Sequence, residues 1–372
     1  MSSETTSLAV DHLIQLVGGV DPAGTVIVTD RGVAASGSAS TVADLFDPPP
    51  PIVSIAGGEP TVESVDAAAT ALHGISPKLV IAVGGGSVID TSKVATALSG
   101  KELSSADVLE GRRVPERDMQ LVAVPTTAGS GAEVTRTAVL SQSGRKTWAW
   151  GDPLRPNGAC LIPAVTAGCP APLTLASGLD AIVHAIEAGS SCRADHTDDR
   201  AREAFRRGFA AIRDVMSRPE GLDGRAEMQQ AACLAGRAID AHGTGAAHAV
   251  GHALSTVHGI PHGFAVGLSL AATLEWSIAG AADRYSELAG AVGLAVPDLP
   301  SAIGALLGEL RFVELAAPFM PAAIDAAELA TVLGAPENAP MRANNARPIE
   351  EADHRPVADM TARAWDSLRA AS

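Results

Sequence analysis

The sequence predicts an N-terminal α/β domain with a parallel sheet over residues 1–165 and an all-helical domain over 166–372. Short continuous runs of apolar and β-branched residues recur through the first part, with helix-like segments between them. Such runs read as strands buried on both faces, and their alternation with helices implies parallel crossovers. From about Pro170 long amphipathic stretches dominate and strand-like runs are nearly absent. A chain of 372 residues is long enough for two buried cores.

The first strand is expected over 25–29, ending at Asp30. The second covers 52–55, after the proline run Pro48 to Pro51. The third and fourth cover 79–83 and 121–124. Helices are expected over 62–72 and 88–98. In the second part, helical spacing marks 179–188, 198–216, 226–241, 263–274, 282–292 and 299–310. Residues 335–354, rich in Pro, Asn and charge, read as an irregular surface connection before a last helix over 357–370. There is no internal repeat.

The net charge of -15 argues against nucleic acid, because phosphate backbones need a basic partner surface. Cys160, Cys169, Cys192 and Cys233 form no CxxC pair, which fits isolated thiols in a reducing cytoplasm. The N-terminus has no basic segment leading into an apolar run, so no signal peptide is expected. No stretch approaches ~20 apolar residues without charges or breakers, so no membrane span is expected.

Val83 runs into Gly84, Gly85, Gly86 and Ser87 before a helix carrying Asp90 and Lys93. A strand feeding a glycine turn into a helix lets backbone N–H groups reach a pyrophosphate. A tight βα turn gives the same pattern. A second such loop, from Pro125 through Thr126, Thr127 and Ser130 to Thr135, follows the fourth strand. Two loops at one sheet edge suggest a dinucleotide lying across it. Asp30 stands where a carboxylate would bond an adenosine ribose, or it is simply a turn residue.

Five metal-type side chains cluster further on: Asp180 and His184, four apart, then His248, His252 and His262. A spacing of four places two side chains on one helix face. One carboxylate with several imidazoles suits Fe(II) or Zn(II) better than Ca or Mg. His73 and His196 read as surface or satisfied residues, and His242 and His258 lie off the cluster's spacing. Glu187 reads as a supporting or helix-surface residue. Arg200, Arg202, Arg206 and Arg207 read as a solvated helix face. Trp148 and Trp150 alternate like one face of a strand, as core or as a substrate wall.

These motifs together resemble the iron-dependent (group III) alcohol dehydrogenases. Gly84 to Lys93 is similar to the family's GGGSxxDxxK signature. Pro125 to Thr135 resembles PTTxGTGSEVT, with Ser130 and Ala132 as departures. Gly178 to Glu187 resembles G-(M/L)-D-A-x-x-H-A-x-E, and His248, His252, His262 and Gly263 match a second histidine signature. The resemblance spans nearly the whole chain. It implies the dehydroquinate synthase-like fold of the family, with the site in the cleft between the two domains. It implies that Asp180, His184, His248 and His262 hold the metal, Fe(II) or in some members Zn(II). His252 would lie near the nicotinamide and substrate and carry the proton. Gly85, Gly86, Ser87 and Asp90 would meet the pyrophosphate region, and Thr126, Thr127 and Ser130 the phosphate or nicotinamide ribose. Lys146 would sit near the cofactor, and Asp30 would favour NAD(H) over NADP(H). A small alcohol or aldehyde is the implied substrate, and a homodimer the implied assembly.

Two segments depart from the family. Cys160 to Pro163 lacks the usual Asp-Pro pair, and 146–152 carries two of the four tryptophans. They leave the metal residues intact and leave the substrate open, with acidic aldehydes such as phosphonoacetaldehyde among the candidates. The competing class is a sugar-phosphate cyclase of the dehydroquinate synthase type, which also binds NAD and a divalent metal. Its first ligand is typically Glu, and its pocket is crowded with Lys and Arg. Here the corresponding residue is Asp180, in a lysine-poor helical domain.

Overall fold

A computed structural model describes residues 22–371. The chain forms two compact units. The first runs to Cys169 and includes Glu220–Gln229; the second comprises Pro170–Pro219 and everything from Gln230 onward. The division thus follows Cys169 rather than residue 165, and a short segment of the helical part joins the first unit.

In the first unit, strands β1 (Thr25–Asp30), β2 (Ile52–Ile55), β3 (Leu79–Gly84), β4 (Gln120–Pro125) and β7 (Gly158–Ala159) form one sheet in the order β2-β1-β3-β4-β7. Every pairing in it is parallel. Helices α1 (Arg31–Ala35), α2 (Ser38–Ala43), α3 (Val62–Ile75), α4 (Gly86–Leu98) and α5 (Ser105–Leu109) make most of the connections. Thr61 starts α3 with a capping box, its hydroxyl accepting from the Ser64 N–H and the Ser64 hydroxyl accepting in return.

Strand β3 is buried throughout and sends Val80 and Ala82 into one core, and Leu79, Ile81 and Val83 into another. Both faces of the sheet are therefore covered, as the unbroken apolar runs require. Strand order reverses between β1 and β3, which creates a crevice at their carboxyl ends. Because β3 and β4 stay in register to Gly84 and Pro125, the loops that follow them leave the sheet side by side.

An antiparallel hairpin, β5 (Thr137–Gln142) and β6 (Arg145–Trp150), stands outside this sheet. Neither tryptophan enters the core. Trp148 is half-buried, and Trp150 is exposed with the Arg136 guanidinium 4.9 Å over its ring.

The second unit is helical among the described residues: α6 (Ala171–Ser190), α7 (Asp199–Ser217), the larger part of α8 (Leu222–His242), α9 (Ala246–His258), α10 (His262–Ala281), α11 (Ser286–Ala291), α12 (Leu299–Glu309), α13 (Phe312–Ala316), α14 (Ala326–Leu333), α15 (Ala339–Asn344) and α16 (His354–Ala370). Every residue of α6 from 178 to 190 is buried. Helix α7 is amphipathic, with Arg200, Arg206 and Arg207 paired to Asp198 or Glu203 on its outer side.

One expectation is qualified here and one is corrected. His262–Ala291 is long and apolar enough to cross a membrane by length and composition, although 56% of its apolar window is buried inside the structure. Its apolarity comes from small and aliphatic residues, and the buried ones, among them Val266, Leu268 and Leu270, pack within the unit. The segment 335–354 is not merely a surface connection. It contains α15, and Asn338, Asn344 and Asn345 are buried. Their amides bond backbone groups of other segments, which is how polar residues are accommodated inside.

Candidate active site

In the first unit, α4 begins at Gly86 with Gly85 as its N-cap, a residue with no side chain to bond the first-turn N–H groups. The lack of side chains lets the chain fold tightly. A Cβ at Gly84 would lie 2.4 Å from Val88 Cβ, and one at Gly86 would lie 2.7 Å from Ser130 Oγ. The two loops thus meet, and the Thr126 N–H donates to the Gly84 carbonyl at 3.0 Å. Ser87 is exposed, Thr127 and Ser130 are half-buried, and Thr126 is buried. Gln229 Nε2 donates to the Pro125 carbonyl and steadies the second loop.

Asp30 caps α1, its Oδ1 accepting the Val33 N–H at 2.8 Å. It stands at the carboxyl end of β1, next to β3 and its glycine loop. Lys146 is half-buried on β6, its Nζ 3.6 Å from Glu59 Oε2. Asp90 faces the hairpin. Its Oδ1 accepts from Lys93 Nζ at 3.1 Å and its Oδ2 from the Val139 N–H at 3.0 Å. Lys93 also donates to Thr135 Oγ1 and the Thr137 carbonyl. Burial pushes the Asp90 carboxyl up, against the pull of Lys93 and the Val139 N–H. This pair fastens α4 to the hairpin that carries Lys146.

In the second unit, α6 supplies Asp180 and His184, α9 supplies His248 and His252, and His262 opens α10. Two glycines bring these helices close. A Cβ at Gly263 would lie 2.0 Å from the Ala176 carbonyl oxygen, and one at Gly251 would lie 2.6 Å from Val266 Cγ1. Asp180 Oδ1 lies 3.6 Å from His184 Nε2, 3.6 Å from His248 Nε2 and 3.5 Å from His262 Nε2. These separations exceed a hydrogen bond and suit atoms converging on one ion. Asp180 Oδ1 and His248 Nε2 are buried without a hydrogen-bond partner, an arrangement that a shared cation would satisfy. Three imidazoles and one carboxylate form a donor set for Fe(II) or Zn(II).

The rings of His184 and His248 stack at 4.6 Å. His262 is partly exposed, which leaves one side of the group open. His252 is half-buried, its ring 5.2 Å from that of His262 and 6.2 Å from that of His248. It adjoins the group without joining the contacts to Asp180. Burial alone would raise Asp180, but His184, His262 and His248 hold it well below the usual carboxylate range. Burial opposes charge on His248, yet Glu187 and Asp180 outweigh it and raise the imidazole to about 9.

Glu187 is buried rather than on the helix surface, and it reaches α9. A glutamate inside a helix buried on every face needs partners, and that was the available signal. The role of Asn345, whose Oδ1 accepts the Ala246 N–H, left none. His242 pairs with Asp198 at 3.0 Å, outside the group.

Comparison with known proteins gives the family. The family described as iron-containing alcohol dehydrogenase matches residues 6–163, and its C-terminal counterpart matches 174–349. The chain is 34% identical over 252 residues to "Probable alcohol dehydrogenase EutG" of Escherichia coli K12, covering 67% of this chain and 64% of that protein. It is 30% identical over 263 residues to the 1-propanol dehydrogenase PduQ of Salmonella typhimurium, covering 69% and 68%. Among solved structures, sulfoacetaldehyde reductase from Bifidobacterium kashiwanohense in complex with NAD+ is similar with a TM-score of 0.82 at 26% identity, covering 98% of this chain and 95% of that one. With both family regions matched and their motifs standing in the two units, the chain belongs to the iron-containing alcohol dehydrogenases.

Proposed function

We propose that this chain is a metal-dependent, NAD(H)-linked alcohol dehydrogenase or aldehyde reductase for a small alcohol or aldehyde. The observation that carries the reading is Asp180 Oδ1 standing 3.5 to 3.6 Å from three imidazole nitrogens in a buried setting. When bound, Fe(II) or Zn(II) supplies Lewis acidity toward the substrate oxygen, and the nicotinamide supplies or accepts the hydride.

The chain's own residues do the rest. Asp180, His184, His248 and His262 hold the ion. Backbone groups at Gly85, Gly86 and Ser87 bind the pyrophosphate at the start of α4. Thr126, Thr127 and Ser130 offer hydroxyls to phosphate or ribose. Asp90 keeps α4 fastened to the hairpin, and Lys146 approaches the cofactor from that hairpin. Asp30 accepts from ribose hydroxyls and repels a 2′-phosphate, which supports NAD(H) over NADP(H). His252, beside the ligand group and partly open, holds and passes the proton at its imidazole. Four cysteines held as thiols rather than disulfides support a reducing, cytoplasmic setting, and the family supports a homodimer.

The test is NADH oxidation by protein reconstituted anaerobically with Fe(II), and in parallel with Zn(II). The panel holds plain aldehydes, hydroxyaldehydes and acidic aldehydes such as phosphonoacetaldehyde and sulfoacetaldehyde. Metal-dependent oxidation with one class supports the reading and names the substrate type. Binding of metal and NAD with no net oxidation across the panel would favour a cyclase instead. His252→Ala should keep its metal but lose turnover and alter the pH profile.

A further inference from the structure

Helix α9 carries two of the site's histidines, yet its own N-cap, Gly245, has no side chain. The N–H groups at its start are satisfied from elsewhere. Glu187 Oε1 accepts from Ala247 at 2.6 Å and from His248 at 3.3 Å, and Glu187 Oε2 accepts from Gly245 at 2.8 Å. Asn345 Oδ1 accepts from Ala246 at 3.1 Å. Two residues remote in sequence therefore cap the helix from outside, and one of them is a carboxylate placed at its positive end.

Glu187 does one thing that Asn345 does not. Its Oε2 lies 2.6 Å from His248 Nδ1. A carboxylate only accepts, so Nδ1 of the neutral ring carries the proton, and the lone pair of Nε2 faces Asp180. Glu187 also stands on the helix that carries Asp180 and His184. One buried side chain thus ties the α6 donors to the imidazole on α9.

We propose that Glu187 is a positioning residue of the metal centre, acting through His248 to fix the tautomer and ring orientation that present Nε2 to the ion. The inference rests on the metal site described under the proposed function. Carboxylates behind metal-binding imidazoles commonly matter about 10- to 100-fold in affinity. Glutamine at 187 cannot substitute, because its NH2 group would face an N–H donor on one side of the carboxyl position.

The experiment compares Fe(II), Zn(II) and Co(II) affinity, by chelator competition, in wild type, Glu187→Gln, Glu187→Asp and Asn345→Ala. The Co(II) visible spectrum reports geometry. Asn345→Ala removes a cap from the same helix without touching the imidazole. Expected are a 10- to 100-fold loss of affinity with a changed Co(II) spectrum in Glu187→Gln, partial recovery in Glu187→Asp, and a loss under threefold in Asn345→Ala. Equal losses in Asn345→Ala and Glu187→Gln would reduce Glu187 to a helix cap and overturn the inference. So would wild-type affinity in Glu187→Gln. If the Glu187 variants do not fold, nitrogen NMR of the Zn(II)-loaded wild type decides: a proton on His248 Nδ1 supports the inference, and one on Nε2 overturns it. A wild-type chain that takes up no metal would overturn the site itself, which separates the two failures.

Discussion

Gly263 touches Ala176 across α6 and α10: a Cβ at Gly263 would lie 2.0 Å from the Ala176 carbonyl oxygen. The contact is with backbone, so it cannot be relieved by turning a side chain. His262 is the next residue, and its Nε2 lies 3.5 Å from Asp180 Oδ1. Gly263→Ala should therefore push α10 away from α6 and lift His262 from the group. The expected cost is about 1–3 kcal/mol of unfolding free energy, with a fall in bound metal. Denaturant unfolding and metal analysis check it. Full metal content with wild-type stability would show that the helices yield without moving His262.

Among the described residues, it is the Asp180 carboxylate oxygen that all three imidazole nitrogens approach. Asp180→Asn keeps the shape and removes the charge. Metal affinity should fall more than about 100-fold, beyond the effect expected of an outer partner. NAD binding, followed by tryptophan or NADH fluorescence, should survive, because the glycine loops belong to the other unit. Loss of both together would mean that the variant has damaged folding rather than the site.

Lys93 is fully buried and pairs with Asp90, whose side chain is nearly so. Removing one member of such a pair leaves an uncompensated charge. Lys93→Met should cost about 3–5 kcal/mol, and the double change with Asp90→Leu should recover much of it. The hairpin should also loosen, because Lys93 donates to Thr135 and Thr137. Calorimetry on the single and double variants reads the first effect, and proteolysis near 140–150 the second.

What could be read from the chain follows from how local each signal is. Strands β1, β3 and β4 are unbroken apolar runs because both sheet faces are covered, and burial alone reveals them. The β5–β6 hairpin is mixed in composition and half-exposed, so beyond the alternation of Trp148 and Trp150 hydrophobic patterning does not mark it. Its two-residue turn, Ser143 and Gly144, both with positive φ, was the better clue. Asp180 and His184 announce themselves by spacing on one helix. Asp90 meets Val139 across 49 positions and Glu187 meets Gly245 across 58, separations for which a single sequence holds no pattern.

Asp30 caps α1 through Oδ1, so a probe of cofactor choice must preserve the cap. Asp30→Ser keeps a capping oxygen and loses the charge. If the carboxylate repels a 2′-phosphate, the ratio of NADP(H) to NAD(H) affinity should rise roughly five- to tenfold. Titration calorimetry with both cofactors measures it. An unchanged ratio would assign the carboxylate to the helix alone.

Tyr285 is the chain's single tyrosine and is 2% exposed. Burial raises its phenol to about 12, against hydrogen bonds with Ser190 and Ser277, while the Glu187 charge adds to the rise. The unfolded phenol titrates near 10, so between those values the unfolded state binds fewer protons than the native state. The stabilisation is therefore complete below about pH 10 and is lost as pH rises through the native value, roughly 3 kcal/mol in all. Tyr285→Phe should unfold with a shallower alkaline slope than wild type. The single phenol also makes the titration readable by ultraviolet absorbance of the phenolate. A midpoint near 10 in protein that is still folded would contradict the burial argument.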